Sequence, residues 1–244
     1  MGRVAVITGA SGALGHAIAR RLARDGYDLA LHYRSGEEEA QRLAVSLQRD
    51  GVRALPVQAD VCGQEEVDAM IRVVEEELGP IAVLVNNAGL VRDRTLARLT
   101  EDDWDVVLDT NLRGAFLLCK ATVPRMRERR AGRVVNISSI VGAMGNYGQI
   151  NYAASKAGLI GLTKSLAREV ARDQVTVNAI CPGFMDTPMV RSVPQTVQEK
   201  LVAQIPLGRF GEPEAVGEAV AYLVGPGGDW VTGQVLHVNG GMYM

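Results

Sequence analysis

The fold is decided by one stretch, Thr8-Gly9-Ala10-Ser11-Gly12-Ala13-Leu14-Gly15, which follows the apolar run Val4–Thr8 and opens the helical stretch Leu14–Asp25. Its glycines and small residues allow the backbone to turn tightly and to approach a pyrophosphate. The helix that follows offers free N–H groups and the positive end of its dipole. A tight strand–helix turn without a ligand has the same local pattern, but its place after the first strand of an alternating chain favours nucleotide binding.

Strand-like and helical stretches alternate outward from this turn along the whole chain. The strand-like runs are apolar on both faces, as buried parallel strands are. They are Val4–Thr8, Asp28–Tyr33, Ala54–Gln58, Ala82–Asn86, Arg133–Ser138, Val175–Ile180 and Gln234–Val238. The helical stretches are Leu14–Asp25, Glu37–Asp50, Glu65–Leu78, Glu101 to about Arg129, Tyr152–Arg172 and Pro213–Val224. The alternation predicts an α/β fold, a Rossmann-like doubly wound seven-stranded parallel sheet with helices on both faces.

We expect a single domain over residues 1–244, because no linker, repeat or low-complexity tract interrupts the chain. Residues 184–211 break the strand–helix rhythm and contain Pro188, Pro194 and Pro206. We interpret this segment as an insertion over the site that acts as a substrate lid.

The bulk composition excludes several classes of protein. The net charge of the 244 residues is -2 and 47% are apolar, so a core is available and no overall positive field attracts nucleic acid. We see no signal-peptide pattern and no apolar run of membrane-spanning length, and we expect a cytoplasmic protein without a membrane partner. The cysteines, which form no CxxC pair, are Cys62, Cys119 and Cys181. His16, His32 and His237 lack metal-like spacing, so we expect ordinary surface or core histidines and no metal.

The end of the second strand bears on which dinucleotide binds. Folds that prefer NAD place an acidic residue there, which binds the ribose 2′-OH. Here the strand ends His32-Tyr33-Arg34-Ser35, and no acidic residue follows before Glu37. Arg34 can pair with a 2′-phosphate through two parallel hydrogen bonds, although an exposed loop arginine is the plainer interpretation. The missing acid and Arg34 together favour NADP.

Three polar residues are placed for proton transfer to a ketone oxygen. Ser139 closes the fifth predicted strand, at the edge of the sheet where ligands of such folds bind. Tyr152 and Lys156 are four residues apart on a predicted helix and therefore share one face. The ammonium of Lys156 is expected to lower the pKa of Tyr152, and the Ser139 hydroxyl can hold the carbonyl oxygen. Taken singly, the three residues also suit a core tyrosine, a solvated lysine and a strand-end serine.

Motifs in the order and spacing of a known family occur from end to end of the chain. They are Thr8-Gly9 with Gly15, Asn86-Asn87-Ala88-Gly89, Ser139, Tyr152-Ala153-Ala154-Ser155-Lys156 and Pro182-Gly183. On these residues the chain resembles the short-chain dehydrogenase/reductase family over essentially its whole length. The resemblance implies hydride transfer from a nicotinamide cofactor, with Tyr152 as the acid and Ser139 orienting the substrate.

Further segments resemble the bacterial 3-oxoacyl-[acyl-carrier-protein] reductases of fatty-acid synthesis. They are Asn86–Asp93, Met144-Gly145-Asn146, Gly148–Tyr152 and His237–Met244. This resemblance implies NADPH-dependent reduction of a 3-oxoacyl thioester to the 3-hydroxyacyl product, acyl-carrier protein as a partner, and a homotetramer. It also implies that Lys156 binds the nicotinamide ribose and that Asn111 completes the catalytic set through a water-linked proton path. A polar mid-helix residue is the alternative interpretation of Asn111.

The same resemblance implies a set of cofactor-binding residues. They are Thr8, Gly9, Ser11, Gly12, Leu14, Gly15, Arg34, Asp60, Val61, Asn86, Ala88, Gly89, Tyr152, Lys156, Pro182, Gly183 and Thr187. In this set Asp60 and Val61 flank the adenine, and Thr187 reaches the carboxamide. Many relatives carry arginine where this chain has Gly12, which removes one usual contact to the 2′-phosphate, and the NADP preference therefore rests on Arg34.

A cluster of arginines suggests where an acidic carrier protein docks. It comprises Arg125, Arg127, Arg129, Arg130 and Arg133 around the start of the fifth strand, with Arg168 and Arg172 at the end of the catalytic helix. We select Arg130 and Arg172 as docking residues, because a local basic patch attracts an acidic partner. Arginines that only complement a helix dipole are the alternative. The apolar tail Val235–Met244 is expected to pack against a second copy of the chain.

Other functions remain open at this point. An acetoacetyl-CoA reductase, or a small-ketone or sugar dehydrogenase, would use the same chemistry on another substrate. A non-catalytic dinucleotide-binding module or a methyltransferase on a similar sheet would have no use for Tyr152 and Lys156 beside Ser139. The preference between carrier-protein and coenzyme-A thioesters distinguishes the alternative reductases. The identity of the bound nucleotide distinguishes the binding module and the methyltransferase.

Overall fold

A computed structural model of the chain describes residues 3–244, with the side chain of Met189 excepted. The strands are β1 (Arg3–Ile7), β2 (Tyr27–Tyr33), β3 (Ala54–Gln58), β4 (Ile81–Asn86), β5 (Gly132–Ile137), β6 (Val175–Pro182) and β7 (Val235–Val238). They form one parallel sheet in the order β3-β2-β1-β4-β5-β6-β7. The predicted seven-stranded, doubly wound sheet is therefore confirmed, and each predicted strand lies within two residues of an observed one.

Helices cover both faces of this sheet. They are α1 (Ala13–Arg24), α2 (Glu37–Arg49), α3 (Gln64–Glu77), α4 (Glu101–Leu108), α5 (Gly114–Glu128), α6 (Ile140–Met144), α7 (Ile150–Val170), α8 (Pro188–Arg191), α9 (Gln195–Val202) and α10 (Pro213–Val224). Gly26, Gly51 and Gly79, which follow the ends of α1, α2 and α3, all have positive φ. Glycine has no Cβ and adopts that conformation without steric strain, so it is well suited to end a helix.

The inner strand β1 shows how the core is divided between the two faces of the sheet. Ala5 and Ile7 point to one side, where they join the apolar cluster of α1, α2 and α10. Val4 and Val6 point to the other side, where they join the cluster of α3, α5 and α7. All four side chains are fully buried, which requires apolar residues at successive positions and not an alternating pattern.

The long helical stretch predicted from Glu101 to about Arg129 is interrupted. The structure has α4, then one π-helical turn over Asp109–Arg113, then α5. Apolar spacing alone does not reveal one extra residue in a helical turn, because the same spacing continues in the helix that follows the turn. Such single-turn π-bulges occur often at functional sites, and this one carries Asn111.

The predicted insertion, residues 184–211, contains α8 and α9, which were not predicted. Its two ends lie together, because Gly211 N–H donates to the Phe184 carbonyl and Asp186 N–H donates to the Gly211 carbonyl. The segment therefore leaves the carboxyl end of β6 and returns to its own starting point. Its function as a lid stays a prediction. Within the part of the chain that the structure describes, no helix combines the length and the apolar content that a bilayer crossing requires.

Candidate active site

The turn between β1 and α1 requires glycine at two positions. Gly9 has a φ of +62°, and a Cβ there would lie 3.0 Å from the Cα of Ala88. A Cβ on Gly15 would collide with the Gly9 carbonyl oxygen, whereas a Cβ on the exposed Gly12 would meet only that oxygen, at 3.5 Å. α1 has no acidic residue in its first turn and no side-chain cap. Its free N–H groups and this close-packed turn fit the phosphates of a dinucleotide.

Hydrogen bonds hold the turn from both sides. The Oγ1 of Thr8 accepts the N–H groups of Asn87 and Ala88, both at 2.9 Å. The Nδ2 of Asn87 donates to the carbonyl oxygens of Thr8 and Gly9, at 2.8 and 3.1 Å. From the β2 side, the Nδ1 of His32 accepts the Gly9 N–H at 3.1 Å.

Sequence reasoning missed the last two of these contributors. Asn87 stood inside the Asn86–Gly89 motif but was not selected, although its position in that motif was a usable signal. His32 was expected to have an ordinary surface or core role, and nothing in its sequence context marks it. Its importance follows from the packing of β2 against β1, which only the tertiary structure shows.

The predicted adenine and 2′-phosphate residues lie together at the carboxyl ends of β2 and β3. The Nε of Arg34 lies 3.2 Å from the Oδ2 of Asp60, and the Oγ of Ser11 donates to the Ser35 carbonyl at 3.3 Å. Although burial opposes it, the hydrogen bonds from Cys62 and the charge of Arg34 hold the pKa of Asp60 below its usual value. Arg34 is exposed, so its guanidinium is accessible from the solvent.

Two predicted cofactor-binding residues direct their side chains into the interior instead. The Nδ2 of Asn86 donates to the Oδ1 of Asn136 at 2.8 Å, and the side chain is 4% exposed. Val61 is also buried, and it packs against Gly114 at the start of α5, where a Cβ would lie 2.8 Å from its Cγ2. The side chains of these two residues are therefore engaged in the interior, their backbone atoms remain available, and their contact with a cofactor stays a prediction.

Three further predicted residues lie at the end of β6, and Leu14 lies in α1. Pro182 ends β6, and the N–H of Gly183 donates to the Val238 carbonyl at 2.9 Å. A Cβ on Gly183 would lie 2.8 Å from the Cα of Asn239, so the position needs glycine. Thr187 precedes α8 and makes no capping hydrogen bond, which leaves its hydroxyl available. Leu14 packs partly buried against the core.

The π-turn brings Asn111 into contact with the loop that follows β4. Its Oδ1 accepts the Leu90 N–H at 2.8 Å, and its Nδ2 donates to the Leu90 carbonyl at 3.0 Å. The same Nδ2 lies 3.1 Å from the Oγ of Ser155, which in turn donates to the Tyr152 carbonyl at 2.8 Å. Asn111 thus links the loop after β4 to the turn of α7 that carries Tyr152.

Ser139, Tyr152 and Lys156 meet at the carboxyl edge of β5, as predicted. Ser139 caps α6, where its Oγ accepts the Val141 N–H at 3.1 Å, and it also hydrogen-bonds Tyr152. The Nζ of Lys156 donates to the Ile137 carbonyl at 2.8 Å and lies 5.6 Å from the centre of the Tyr152 ring. The arrangement places a hydroxyl, a phenol and an ammonium on one side of a single crevice.

The electrostatics of this group differ in part from the expectation. Burial lowers the pKa of the Lys156 ammonium to about 8. Burial raises the pKa of Tyr152, and the hydrogen bond from Ser139 opposes that rise. The expected lowering of the tyrosine pKa by Lys156 is therefore wrong for this structure, because the ammonium hydrogen-bonds the Ile137 carbonyl and not the phenol. The phenol is a neutral proton donor at neutral pH.

The arginine cluster lies at the opposite edge of the sheet, around the starts of β5 and β6. Four of its members are paired with carboxylates: Arg125 and Arg129 with Glu75, Arg127 with Asp173, and Arg133 with Asp229. Among the described residues, Arg130, Arg168 and Arg172 form no ion pair and are exposed. The Nη2 of Arg130 donates to the Arg172 carbonyl at 3.0 Å, so the two predicted docking residues are neighbours.

Known proteins resemble this chain over its whole length. Residues 9–243 match a family described as enoyl-(acyl carrier protein) reductase. The chain is 45% identical over 244 residues to the 3-oxoacyl-[acyl-carrier-protein] reductase FabG of Staphylococcus aureus, covering 100% of this chain and 99% of the relative. Proteins of the same name from Pseudomonas aeruginosa and Vibrio cholerae are 45% and 43% identical over 243 residues, covering 100% of this chain and 98% of each relative.

Gly89 provides a test of the site geometry. A Cβ there would lie 3.2 Å from the Oδ1 of Asn111 and 3.4 Å from the Nζ of Lys156. We expect Gly89→Ala to lower turnover of a 3-oxoacyl thioester with NADPH by about 10-fold to 100-fold, because small misplacements of catalytic groups are costly. Gly161→Ala in α7, where a Cβ has open space, is the control and should leave turnover unchanged. Equal activity of the two variants would contradict the assigned geometry.

Proposed function

Since the chain belongs to the short-chain dehydrogenase/reductase family, we propose that it is an NADPH-dependent oxidoreductase that reduces 3-oxoacyl thioesters of acyl-carrier protein to 3-hydroxyacyl thioesters in fatty-acid synthesis. The observation that carries the proposal is the Ser139–Tyr152–Lys156 group beside a glycine turn suited to a dinucleotide. The setting is the cytoplasm, where cysteines stay reduced, and the three cysteines are free.

The protein's own residues account for the proton that a ketone reduction requires. The Ser139 hydroxyl holds the carbonyl oxygen, and the Tyr152 phenol donates its proton to that oxygen as negative charge develops there. Lys156 is fixed by the Ile137 carbonyl 5.6 Å from the centre of the Tyr152 ring, and its proposed role is to bind the nicotinamide ribose. NADPH, when bound, supplies the hydride. Both polar atoms of Asn111 are engaged by Leu90 and Ser155, which supports a positioning role, and the water-linked proton path stays a prediction.

Features of the structure support the proposed cofactor contacts at the glycine turn and at Arg34. The close-packed turn at Gly9 and Gly15 supports the pyrophosphate contact. Arg34, at the end of β2, is the proposed contact to the 2′-phosphate, and its pairing with Asp60 orients the guanidinium. Lys156 on the ribose and Thr187 on the carboxamide complete the proposed contacts.

Reduction of a carbon–carbon double bond is the second candidate reaction, because the matching family carries an enoyl reductase description. Two observations favour the ketone. The hydroxyl of Ser139 and the phenol of Tyr152 converge on one point, which suits a carbonyl oxygen, and the full-length relatives carry the name of a 3-oxoacyl reductase. An enoyl thioester, a coenzyme-A ester and a small ketone should accompany the carrier-bound substrate in any assay.

Docking of the carrier protein at Arg130 and Arg172 has a geometric consequence. Tyr152 lies at the start of α7 and Arg172 beyond its end, which is about 30 Å along the helix. A carrier's extended prosthetic arm spans about 20 Å by ordinary bond lengths. A carrier docked at these arginines therefore serves the active site of another copy, which joins the docking proposal to the oligomer proposal.

We expect the protein to be a homo-oligomer, a tetramer by resemblance. β7 is an edge strand with one neighbour, β6, and its four residues are all only partly buried. An unpaired edge with an apolar tail is commonly covered by another chain. Light scattering should give four times the 26.1 kDa chain mass, and a monomer would contradict both this expectation and docking across copies.

Removal of the Tyr152 hydroxyl tests the proposed reaction. With acetoacetyl-carrier protein and NADPH, we expect Tyr152→Phe to lower kcat by about 100-fold to 10,000-fold, the usual contribution of a general acid. Absorbance of NADPH measures the rate, and NADH run in parallel measures cofactor preference. A wild-type protein inactive on this thioester with both cofactors would refute the substrate proposal.

Charge reversal tests the docking surface. We expect Arg130→Glu to lower kcat/KM about 10-fold for the carrier-bound substrate and to spare a small ketone, because only the carrier contacts the cluster. Arg49→Glu, at the exposed end of α2, makes the same change in net charge and is the control. An equal loss with both substrates would instead indicate a structural defect.

A further inference from the structure

His32 lies buried at the end of β2 and connects two loops of the nucleotide site. Its Nδ1 accepts the N–H of Gly9 at 3.1 Å, and its Nε2 lies 3.0 Å from the Ala59 carbonyl oxygen. Its backbone carbonyl accepts the next amide of the turn, that of Ala10, at 2.8 Å. The side chain is 2% exposed, so water does not substitute for these partners.

The two neighbours of the ring select one protonation state. The Gly9 N–H is a donor, so Nδ1 must offer a lone pair, and the Ala59 carbonyl is an acceptor, so Nε2 must carry the proton. Only the neutral ring with its proton on Nε2 satisfies both. An imidazolium would set a second N–H against the Gly9 N–H and leave that partly buried amide without its acceptor.

Among the residues that the structure describes, the charge that acts on the ring is that of Asp60. The turn after β1 presents backbone atoms to His32, while the end of β3 presents the carboxylate of Asp60, which pairs with Arg34. Burial lowers the pKa of His32 below its usual value, and the charge of Asp60 opposes this. The ring is therefore neutral at pH 7, and it takes up a proton only at a pH below the range in which an unperturbed histidine titrates.

We infer that His32 is a positioning residue that holds the Gly9 turn in its nucleotide-binding shape and releases it on protonation, so that NADP(H) affinity falls in acid. The inference rests on the proposed nucleotide site. Gly9 already has a left-handed φ and touches Ala88, so a lost hydrogen bond at its amide shifts the turn that contacts the pyrophosphate. The expected signature is a raised KM for NADPH with kcat nearly unchanged.

Two substitutions of His32 distinguish the loss of the hydrogen-bond acceptor for Gly9 from the protonation of that acceptor. His32→Asn places an amide oxygen where Nδ1 lies and cannot be protonated in this range, whereas His32→Leu has no acceptor. The NADP+ Kd is measured by calorimetry from pH 8 to pH 5. The 2′-phosphate also titrates near pH 6, and the Asn variant corrects for it.

The wild type should lose about 10-fold more affinity across this range than His32→Asn does. His32→Leu should bind about 10-fold more weakly than wild type at pH 8, as expected for an unsatisfied buried donor. Identical pH dependence of the wild type and His32→Asn would overturn the inference.

Hydrogen exchange in the nucleotide-free protein gives a second measurement. The peptide that spans residues 3–15 should lose protection in His32→Leu at pH 8, and in the wild type only at pH 5. Unchanged protection in both cases would also overturn the inference. A wild type that binds no nucleotide at any pH would refute the proposed function instead, while the exchange measurement would still test His32.

Discussion

Buried polar groups at the carboxyl edge of the sheet must find partners inside the protein, and the architecture of the site depends on this constraint. An unpaired buried amide costs as much as a lost hydrogen bond. β1 and β4 are neighbours in the sheet, but their chains leave in different directions and open a crevice there. The Thr8 hydroxyl, the Asn87 amide and the His32 ring satisfy the amides and carbonyls that the crevice exposes.

The same constraint places the reactive groups. Lys156 is fixed by the Ile137 carbonyl, and Asn111 is fixed by both polar atoms of the Leu90 backbone. Each side chain therefore satisfies a backbone group left over where a strand or loop ends. The buried ammonium has little room to move, and burial lowers its pKa to about 8. A site built in this way is preorganised, because its groups need no rearrangement when charge develops at a substrate oxygen.

The positive charge of the arginine cluster lies away from the reactive groups Ser139, Tyr152 and Lys156. Within the described part of the cluster, Arg130, Arg168 and Arg172 form no ion pair, and they lie at the amino edge of the sheet, a helix length away from Tyr152. Acidic residues neutralise the other members of the cluster, so pairing within the fold selects which arginines remain available to a partner. The reactive groups and the proposed docking residues thus lie at opposite edges of the sheet, which is why the docking proposal requires more than one copy of the chain.

The amino-acid sequence by itself determined the seven strands, their parallel arrangement and the meeting of Ser139 with Tyr152 and Lys156, because buried strands and a four-residue helical spacing leave periodic, local patterns. It did not reveal the π-turn at Asn111, the inward side chains of Asn86 and Val61, or the contact of His32 with Gly9. Those features depend on residues far apart in the chain, and only packing of β2 against β1 and of α5 against β4 brings them together. The raised pKa of Tyr152 has the same origin, since burial is a property of the folded interior and not of a motif.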